Sequence, residues 1–310
     1  MFPAHASFLS LANNMEFSHS GSTAASAGLE SRLVEAAGLR WHMLDAGNGP
    51  ALLLLHGTAA SGHSWRRLIP DLARHFRVIA PDLPGHGKTS APQAAGFALP
   101  AMARALGGLM AALDVAPALA VGHSAGAAIL ARMVLDGHLS PRALVSFNGA
   151  FLPFGGWAGQ FFAPAAKLFA ASPAVARLIA ARGADPTAVR RLIEGTGSRL
   201  DDEGLLLYRQ LMADPAHVGA ALSMMAGWDL LPLGRDLPRL ACPLALVVGD
   251  RDRSIPPHQA RVISRLAPDT RIITMTGLGH LSHEERPDEA VSILLDEAGR
   301  AGILSSKGRA

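Results

Sequence analysis

Short apolar runs alternate with amphipathic stretches of about 10–15 residues, and this alternation constrains the fold more than any other feature of the chain. The run ALLLLHG at 51–57 is almost continuously apolar, as expected of a strand that is buried on both faces. Strands that alternate with helices form a mostly parallel sheet with helices on both sides. We therefore predict an α/β fold with an eight-stranded, mostly parallel sheet flanked by helices. The predicted strands are 31–36, 39–47, 51–57, 77–82, 119–124, 143–149, 244–250 and 271–277.

Helical patterns fill most of the intervals between these strands. The first predicted helix covers 64–74, with Ser64 as a plausible N-cap. Further helices are predicted at 99–113, at 125–137, near 257–266 and from Pro287 onward.

Residues 151–240 interrupt the alternation, after the sixth predicted strand. They contain several helix-like stretches broken by Pro and Gly, and half of the aromatic residues of the chain. We predict a helical lid at 151–240 on a core formed by 29–150 and 241–300, with a disordered leader at 1–28 and a tail at 301–310. The alternative is a helical subdomain that buries its rings in its own core. The candidate pocket residues are Phe151, Phe154, Trp157, Phe162 and Trp228.

Charge and cysteine content argue against several functional classes. The net charge is only +3 and no dense Lys/Arg run occurs, so nucleic-acid binding has little support. The single cysteine, Cys242, rules out a disulfide framework or a cysteine-based metal site. No apolar run reaches the roughly 18–20 residues that a membrane-spanning helix needs. The leader lacks Lys and Arg and makes a poor secretory signal, so we expect a soluble cytoplasmic protein whose natural start could be Met15.

The stretch PDLPGHGKTS resembles the end of a phosphate-binding loop at residues 87–89. That motif requires a glycine at position 82, where this chain has Asp82, and it requires a helix where Pro92 stands. We therefore reject nucleotide binding at this loop. Asp82 is expected to accept backbone hydrogen bonds, and Gly85 and Gly87 are expected to allow a tight turn.

A nucleophile elbow is predicted at Gly122–Gly126, GHSAG, where a strand runs into a helix. The G-x-S-x-G motif places its serine on a strained turn, so that the hydroxyl stands clear of the sheet. Strand and helix then pass so closely that Gly122 and Gly126 must be small, with His123 between glycine and serine. Ser124 is therefore the predicted nucleophile.

A serine nucleophile needs a base, and the base needs an acid that orients it. In this motif's fold the partners follow in the order serine, acid, histidine. Asp252, just after a strand, is the predicted acid and Asp250 is its competitor. His280, after the last strand, is the predicted base, whereas His283 is expected to pack locally. The H-x-x-H spacing of these histidines does not match the zinc-protease pattern, so no metal and no cofactor are expected.

Acyl transfer also needs amide donors for the oxygen of the tetrahedral intermediate. One predicted donor is the N–H of Ala125, directly after the nucleophile. The second is the N–H of Thr58 in the segment His56-Gly57-Thr58, which follows the third strand.

Together these motifs resemble those of the α/β-hydrolase superfamily over about 30–298. The resemblance implies the α/β-hydrolase fold and the triad Ser124, Asp252 and His280, with Thr58 and Ala125 in the oxyanion hole. The serine departs from the dehalogenase and epoxide-hydrolase branches, which use aspartate. The motifs that carry the resemblance are HGT, PDLPGHGKT, GHSAG, GDRDRSIP and GLGHLSHEERP.

A narrower resemblance, to the magnesium chelatase accessory proteins of bacteriochlorophyll synthesis, rests mainly on the insertion. It is carried by GHSAGAAIL, NGAFLPFGGWAG, FAPAAKLFA, LIEGTGSRLDDEGLLLYRQL and MMAGWDLLPLGRDLPRL. We predict a serine hydrolase acting on an ester-like, bulky apolar substrate. One alternative, implied by this resemblance, is a non-catalytic accessory that binds a tetrapyrrole or contacts magnesium chelatase. The other is a C–C bond hydrolase or cofactor-free peroxidase, which shares the triad.

Overall fold

A single eight-stranded sheet forms the centre of the computed structural model, which describes residues 28–153 and 172–304. The strand order is β1-β2-β4-β3-β5-β6-β7-β8. β2 runs antiparallel to both of its neighbours, and all other adjacent strands are parallel. The predicted α/β fold is confirmed. The strands are β1 Glu30–Ala36, β2 Leu39–Ala46, β3 Ala51–Leu55, β4 Arg77–Pro81, β5 Leu119–His123, β6 Ala143–Phe147, β7 Leu244–Gly249 and β8 Thr270–Met275.

The described part of the chain contains the following α-helices. They are α1 Ile69–Leu72, α2 Leu99–Ala112, α3 Ala125–Leu135, α4 Pro173–Gly183, α5 Pro186–Gly195, α6 Asp202–Met212, α7 Pro215–Gly227, α8 Leu231–Asp236, α9 Gln259–Leu266, α10 Ser282–Glu285 and α11 Pro287–Arg300.

The helix predicted at 64–74 is wrong. The structure has a 3-10 turn at Gly62–Trp65 and then the single-turn helix α1. Pro70 explains the break, because proline has no N–H with which to continue an α-helix through that point. Ser64 lies inside the 3-10 turn, and the cap is Ser61, whose side chain accepts from His63 N.

The core is divided by the sheet into two apolar layers. Leu53 and Leu55 of β3 belong to the layer beneath α2 and α3. Leu52 and Leu54 belong to the opposite layer, with α1 and α11. All four side chains are fully buried, which explains why β3 is apolar at every position rather than at alternate positions.

Asp82, at the end of β4, holds the loop that resembled a phosphate site. As expected, it accepts backbone hydrogen bonds, from Gly62 N at 2.7 Å and Lys88 N at 2.9 Å. His42 Nδ1 contributes a further bond at 2.7 Å. Burial alone would raise the pKa of Asp82, but the contacts with His42 outweigh it and the pKa lies below its ordinary value. The carboxylate therefore closes the loop structurally.

Five helices, α4 to α8, lie in the described part of the insertion between β6 and β7. α5, α6 and α7 each begin after an aspartate whose side chain accepts a backbone N–H of the first turn. Val189, Ile193 and Tyr208 of the insertion pack in one buried cluster with Ala60 and Leu281 of the core. The insertion thus rests on loops at the carboxyl end of the sheet.

The remaining predictions about the ends of the chain lie outside the described residues. This applies to almost all of the predicted leader and to most of the predicted tail. Across 28–153 and 172–304, no helix is long and apolar enough to cross a membrane.

Candidate active site

Ser124 occupies the sharp turn between β5 and α3. Its backbone has φ 50° and ψ −116°, a strained conformation for a residue with a side chain. A Cβ at Gly122 would overlap Ala127 N, and one at Gly126 would overlap the carbonyl oxygen of Leu55. The two glycines therefore permit the close approach of strand and helix that holds Ser124 in this turn.

The predicted acid and base contact each other in the structure. His280 Nδ1 lies 2.8 Å from Asp252 Oδ2, and the Asp252 side chain has no exposed surface. Asp252 Oδ1 accepts from Ser254 N at 2.7 Å and from Ile255 N at 2.9 Å. Asp250 instead accepts from Gly277 N at 2.7 Å, which ties the two loops together on the outside. The geometry thus favours Asp252 over Asp250 as the partner of the histidine.

The last residue of β5, His123, links the elbow to the His280 loop. His123 Nε2 donates to the carbonyl oxygen of His280 at 2.9 Å, and the two rings lie 4.7 Å apart. Ser124 is 8% exposed and His280 9%. In the described ranges no hydrogen bond joins Ser124 Oγ to His280; such bonds are often long before substrate binds.

Two histidines around the elbow are neutral packing groups. Burial lowers the pKa of His123 well below its ordinary value, and the neighbouring His283 and His280 lower it further. Burial also lowers the pKa of His283 to about 3. The His283 ring lies 4.6 Å from both the Trp65 ring and the His123 ring. His283 therefore packs beneath the elbow.

The candidate oxyanion donors lie on two segments that touch. Ala125 is the first residue of α3, so its N–H has no acceptor within the helix and lies at the positive end of the helix dipole. A Cβ at Gly57 would lie 3.0 Å from Ser124 Cβ, which places the segment that carries Thr58 against the elbow. Thr58 Oγ1 contacts Met224 Sδ at 3.7 Å.

His56 fixes that segment. Leu83 N donates to His56 Nε2 at 2.8 Å, so the ring proton is on Nδ1, which donates to Gly57 O at 2.8 Å. Burial lowers the pKa of His56 to about 4, so the ring is neutral. It holds the candidate oxyanion loop against the loop after β4.

Sequence reasoning missed a buried network behind Asp252. Asn148 Nδ2 donates to Asp252 Oδ2 at 2.7 Å, and Ser282 Oγ donates to Asn148 Oδ1 at 2.9 Å. Asn148 directly follows β6 and has φ 50°, and Ser282 is two residues after His280. The position of Asn148 at a strand end was the available signal.

A second missed network joins the insertion to the core. Tyr208 Oη donates to Glu284 Oε1 at 2.7 Å, and Arg66 Nη1 donates to Glu284 Oε2 at 2.9 Å. Burial raises the pKa of Glu284 to about 7, although Arg66 and Tyr208 oppose the shift. Burial and the adjacent Glu284 raise the pKa of Tyr208 well above its ordinary value.

The insertion also touches both loops that carry the acid and the base. Arg253 N donates to Thr196 O at 3.0 Å, and Leu281 N donates to Ser198 Oγ at 2.8 Å. Gly197 and Gly279 are so close that a Cβ on Gly279 would overlap the Gly197 backbone. Residues 196–198 therefore brace the Asp252 and His280 loops from one side.

The predicted pocket residues are only partly placed. Phe151 is fully buried in the core layer beneath α2 and α3. Trp228 is partly buried and donates from Nε1 to Phe97 O at 3.0 Å. Phe154, Trp157 and Phe162 lie outside the described residues. Contact with a substrate stays a prediction for all five.

Comparisons with known proteins agree with this architecture. The model of the alpha/beta hydrolase family matches residues 52–293. The chain is 42% identical over 258 residues to a magnesium-chelatase 30 kDa subunit of Rhodobacter capsulatus, covering 83% of this chain and 90% of that protein. It is 30% identical over 313 residues to a fluoroacetate dehalogenase of a Burkholderia species, covering 91% and 98%.

A solved structure shows the same arrangement of strands and helices. It is a bacterial membrane phospholipase A, with a TM-score of 0.72 and 25% identity over 90% of this chain and 88% of that one. Fold, elbow and family match therefore agree, and the chain belongs to the alpha/beta hydrolase family.

Proposed function

We propose that this protein is a serine hydrolase that cleaves an ester-like bond in a bulky apolar substrate. The observation that carries the proposal is a serine on a strained elbow beside a His280–Asp252 pair joined at 2.8 Å. Each of the three groups follows a different parallel strand, so all three lie at the carboxyl end of the sheet.

In the proposed mechanism, His280 Nε2 takes the proton of Ser124 as the hydroxyl attacks the carbonyl carbon. Asp252 accepts from Nδ1, which leaves the lone pair on Nε2 facing the reaction. The N–H groups of Ala125 and Thr58 stabilise the oxyanion. His280 then protonates the leaving group. Water, deprotonated by the same nitrogen, attacks the acyl carbon of the acyl-enzyme; the acid product leaves, and His280 returns the proton to Ser124.

The apolar surroundings of the oxyanion segment support the proposed substrate class. Met224 of α7 is fully buried and contacts Thr58, a proposed oxyanion donor. Ala220, on the same helix, and the ring of Phe97 both lie close to Gly85. An acyl group bound near Thr58 would therefore meet methyl, thioether and aromatic groups rather than charges.

Active-site labelling tests this proposal directly. A fluorophosphonate probe should label the wild type and leave Ser124→Ala unlabelled, and Ser124→Ala should lose turnover of p-nitrophenyl esters. Ser264→Ala, on the outer helix α9, is the matched control and should behave as wild type. Equal ester turnover in wild type and Ser124→Ala would refute the serine mechanism.

A second candidate function is a non-catalytic role beside magnesium chelatase. It is favoured by the 42% identity over 258 residues to a protein named a magnesium-chelatase subunit. In that case Ser124→Ala should keep full binding to purified chelatase subunits, and porphyrin should change its absorbance spectrum on titration with the protein. Absence of both signals, with esterase activity present, would leave the hydrolase proposal alone.

A further inference from the structure

An open cleft of about 820 Å³ lies on the outer side of the Asp252 loop. The insertion contributes Glu194 to Arg199 at the junction of α5 and α6, and the core contributes the loops after β7 and β8. Of the candidate catalytic residues only Asp252 lines this cleft, and its side chain is fully buried against His280. Ser124, Thr58 and His280 are not among the lining residues, so the cleft shares Asp252 with the candidate active site but contains neither the nucleophile nor the base.

Three arginines line this cleft: Arg199, Arg251 and Arg253. All three are exposed. Within 28–153 and 172–304, none of the three forms an ion pair with a carboxylate. Other arginines near the insertion differ in this respect, since Arg66 and Arg67 both pair with Asp201. The cleft thus holds three guanidinium groups whose planar donor sets are available to a ligand.

The acidic groups of the cleft are mostly engaged with the backbone. Asp250 accepts from Gly277 N at 2.7 Å. Glu285 accepts from Arg199 N and from Gly279 N, both at 2.9 Å. These bonds join the loops that carry the arginines. Asp252 also lines the cleft, but its carboxylate is fully buried and bonded to Ser254 N, Ile255 N and His280. Glu194 is the remaining carboxylate of the lining.

The floor of the cleft is backbone held in place on both sides. Arg251 N donates to Leu278 O at 2.9 Å, and Arg253 N donates to Thr196 O at 3.0 Å. Gly277 has φ 80°, and a Cβ there would meet no atom within 4 Å, so the floor is open at this residue. A site whose loops are already fixed loses little entropy when a ligand binds.

We propose that this cleft binds a small organic molecule carrying two or more oxyanion groups, carboxylate or phosphate. Arginine forks bind either group in bidentate fashion. The negative charges of Glu194, Asp250 and Glu285 disfavour a single anionic group, whereas a ligand with two such groups can span Arg199 and the pair Arg251 and Arg253. The carboxylate of Glu194 and the second oxygen of Asp250 suit hydroxyl or amine groups of the same ligand.

Calorimetric titration with citrate and with pyrophosphate, at constant ionic strength set by sodium chloride, tests the proposal and distinguishes the two oxyanions. Saturable binding of either probe to the wild type is expected. Arg251→Gln/Arg253→Gln should weaken it at least tenfold, as should Arg199→Gln. Arg261→Gln, an exposed arginine of α9 outside the cleft, should bind as wild type.

Thermal unfolding shows that each variant is folded and gives a second measure of binding, because a ligand of the native state raises the melting temperature. The proposal is overturned if neither probe binds saturably to the wild type. It is also overturned if the cleft variants, folded by this measure, bind as tightly as Arg261→Gln.

Discussion

Replacing Asn148 by alanine should slow catalysis without abolishing it. The substitution removes the 2.7 Å hydrogen bond to Asp252 Oδ2 and leaves the buried Ser282 hydroxyl without its acceptor. The bonds from Ser254 N, Ile255 N and His280 remain, so Asp252 keeps its contact with the base.

The size of the effect follows from the one bond that is lost. A hydrogen bond to a charged group contributes about 1.5–3 kcal/mol. If that amount is lost from the alignment of the Asp252–His280 pair in the transition state, kcat falls by roughly 10- to 150-fold. KM should change little, because Asn148 lies behind Asp252 and does not face the substrate.

Steady-state kinetics with a p-nitrophenyl ester measure this split. Ser282→Ala is the companion variant. It should lose less kcat than Asn148→Ala, because the Asn148 amide still bonds Asp252 and lacks only the hydrogen bond from Ser282 that orients it. Thermal unfolding separates a folded variant from a damaged one. A folded Asn148→Ala enzyme whose kcat stays within twofold of wild type, or whose defect lies wholly in KM, would refute the proposed alignment.

Three further outcomes are expected. Gly126→Ala should lower the free energy of unfolding by about 3 kcal/mol, the upper end for overpacking, because the added Cβ would overlap the Leu55 carbonyl. Gly195→Ala is the control: a Cβ there meets no atom within 4 Å, so its free energy of unfolding should stay at the wild-type value. Equal urea midpoints for the two variants would contradict the overlap argument. The pKa of Glu284 rises on folding from an ordinary 4.5 to about 7, so between these values the native state binds a proton that the unfolded state does not. The free energy of unfolding should therefore fall by on the order of 3 kcal/mol as the pH rises from about 5 to 7. Urea denaturation at several pH values should show this slope in the wild type and a shallower one in Glu284→Gln; identical slopes would count against it. Met224→Ala should shift the preferred ester to a longer acyl chain, because it removes a buried side chain that contacts Thr58. It should also lower the free energy of unfolding by about 2–5 kcal/mol. An unchanged dependence of turnover on acyl-chain length would show that Met224 does not line the acyl site.

The sheet was predictable because its signal is local. The central strands are short apolar runs, and a run apolar at every position, such as β3, requires cover on both faces. The helix at 64–74 failed for an equally local reason, since Pro70 ends any α-helix that approaches it from Ser64. Propensity and spacing therefore account for both the correct elements and the wrong one.

The candidate triad residues were predictable from motif and chain order, but their supporting contacts were not. Ser282 and Asn148 are 134 residues apart in sequence, and Arg66 and Glu284 are 218 apart. No periodicity or short motif links such positions. In the sequence each is one polar residue among many, and only tertiary packing shows that it is buried and bonded.

The contact of residues 196–198 with both the Asp252 loop and the His280 loop has a consequence for engineering. A helical insertion invites treatment as an exchangeable module, to be deleted for a minimal enzyme or swapped to change specificity. Here a graft that cuts at the ends of the insertion would also remove the support of the acid and the base. A functional chimera would have to retain Thr196, Gly197 and Ser198, so the recombination points belong within the insertion rather than at its borders.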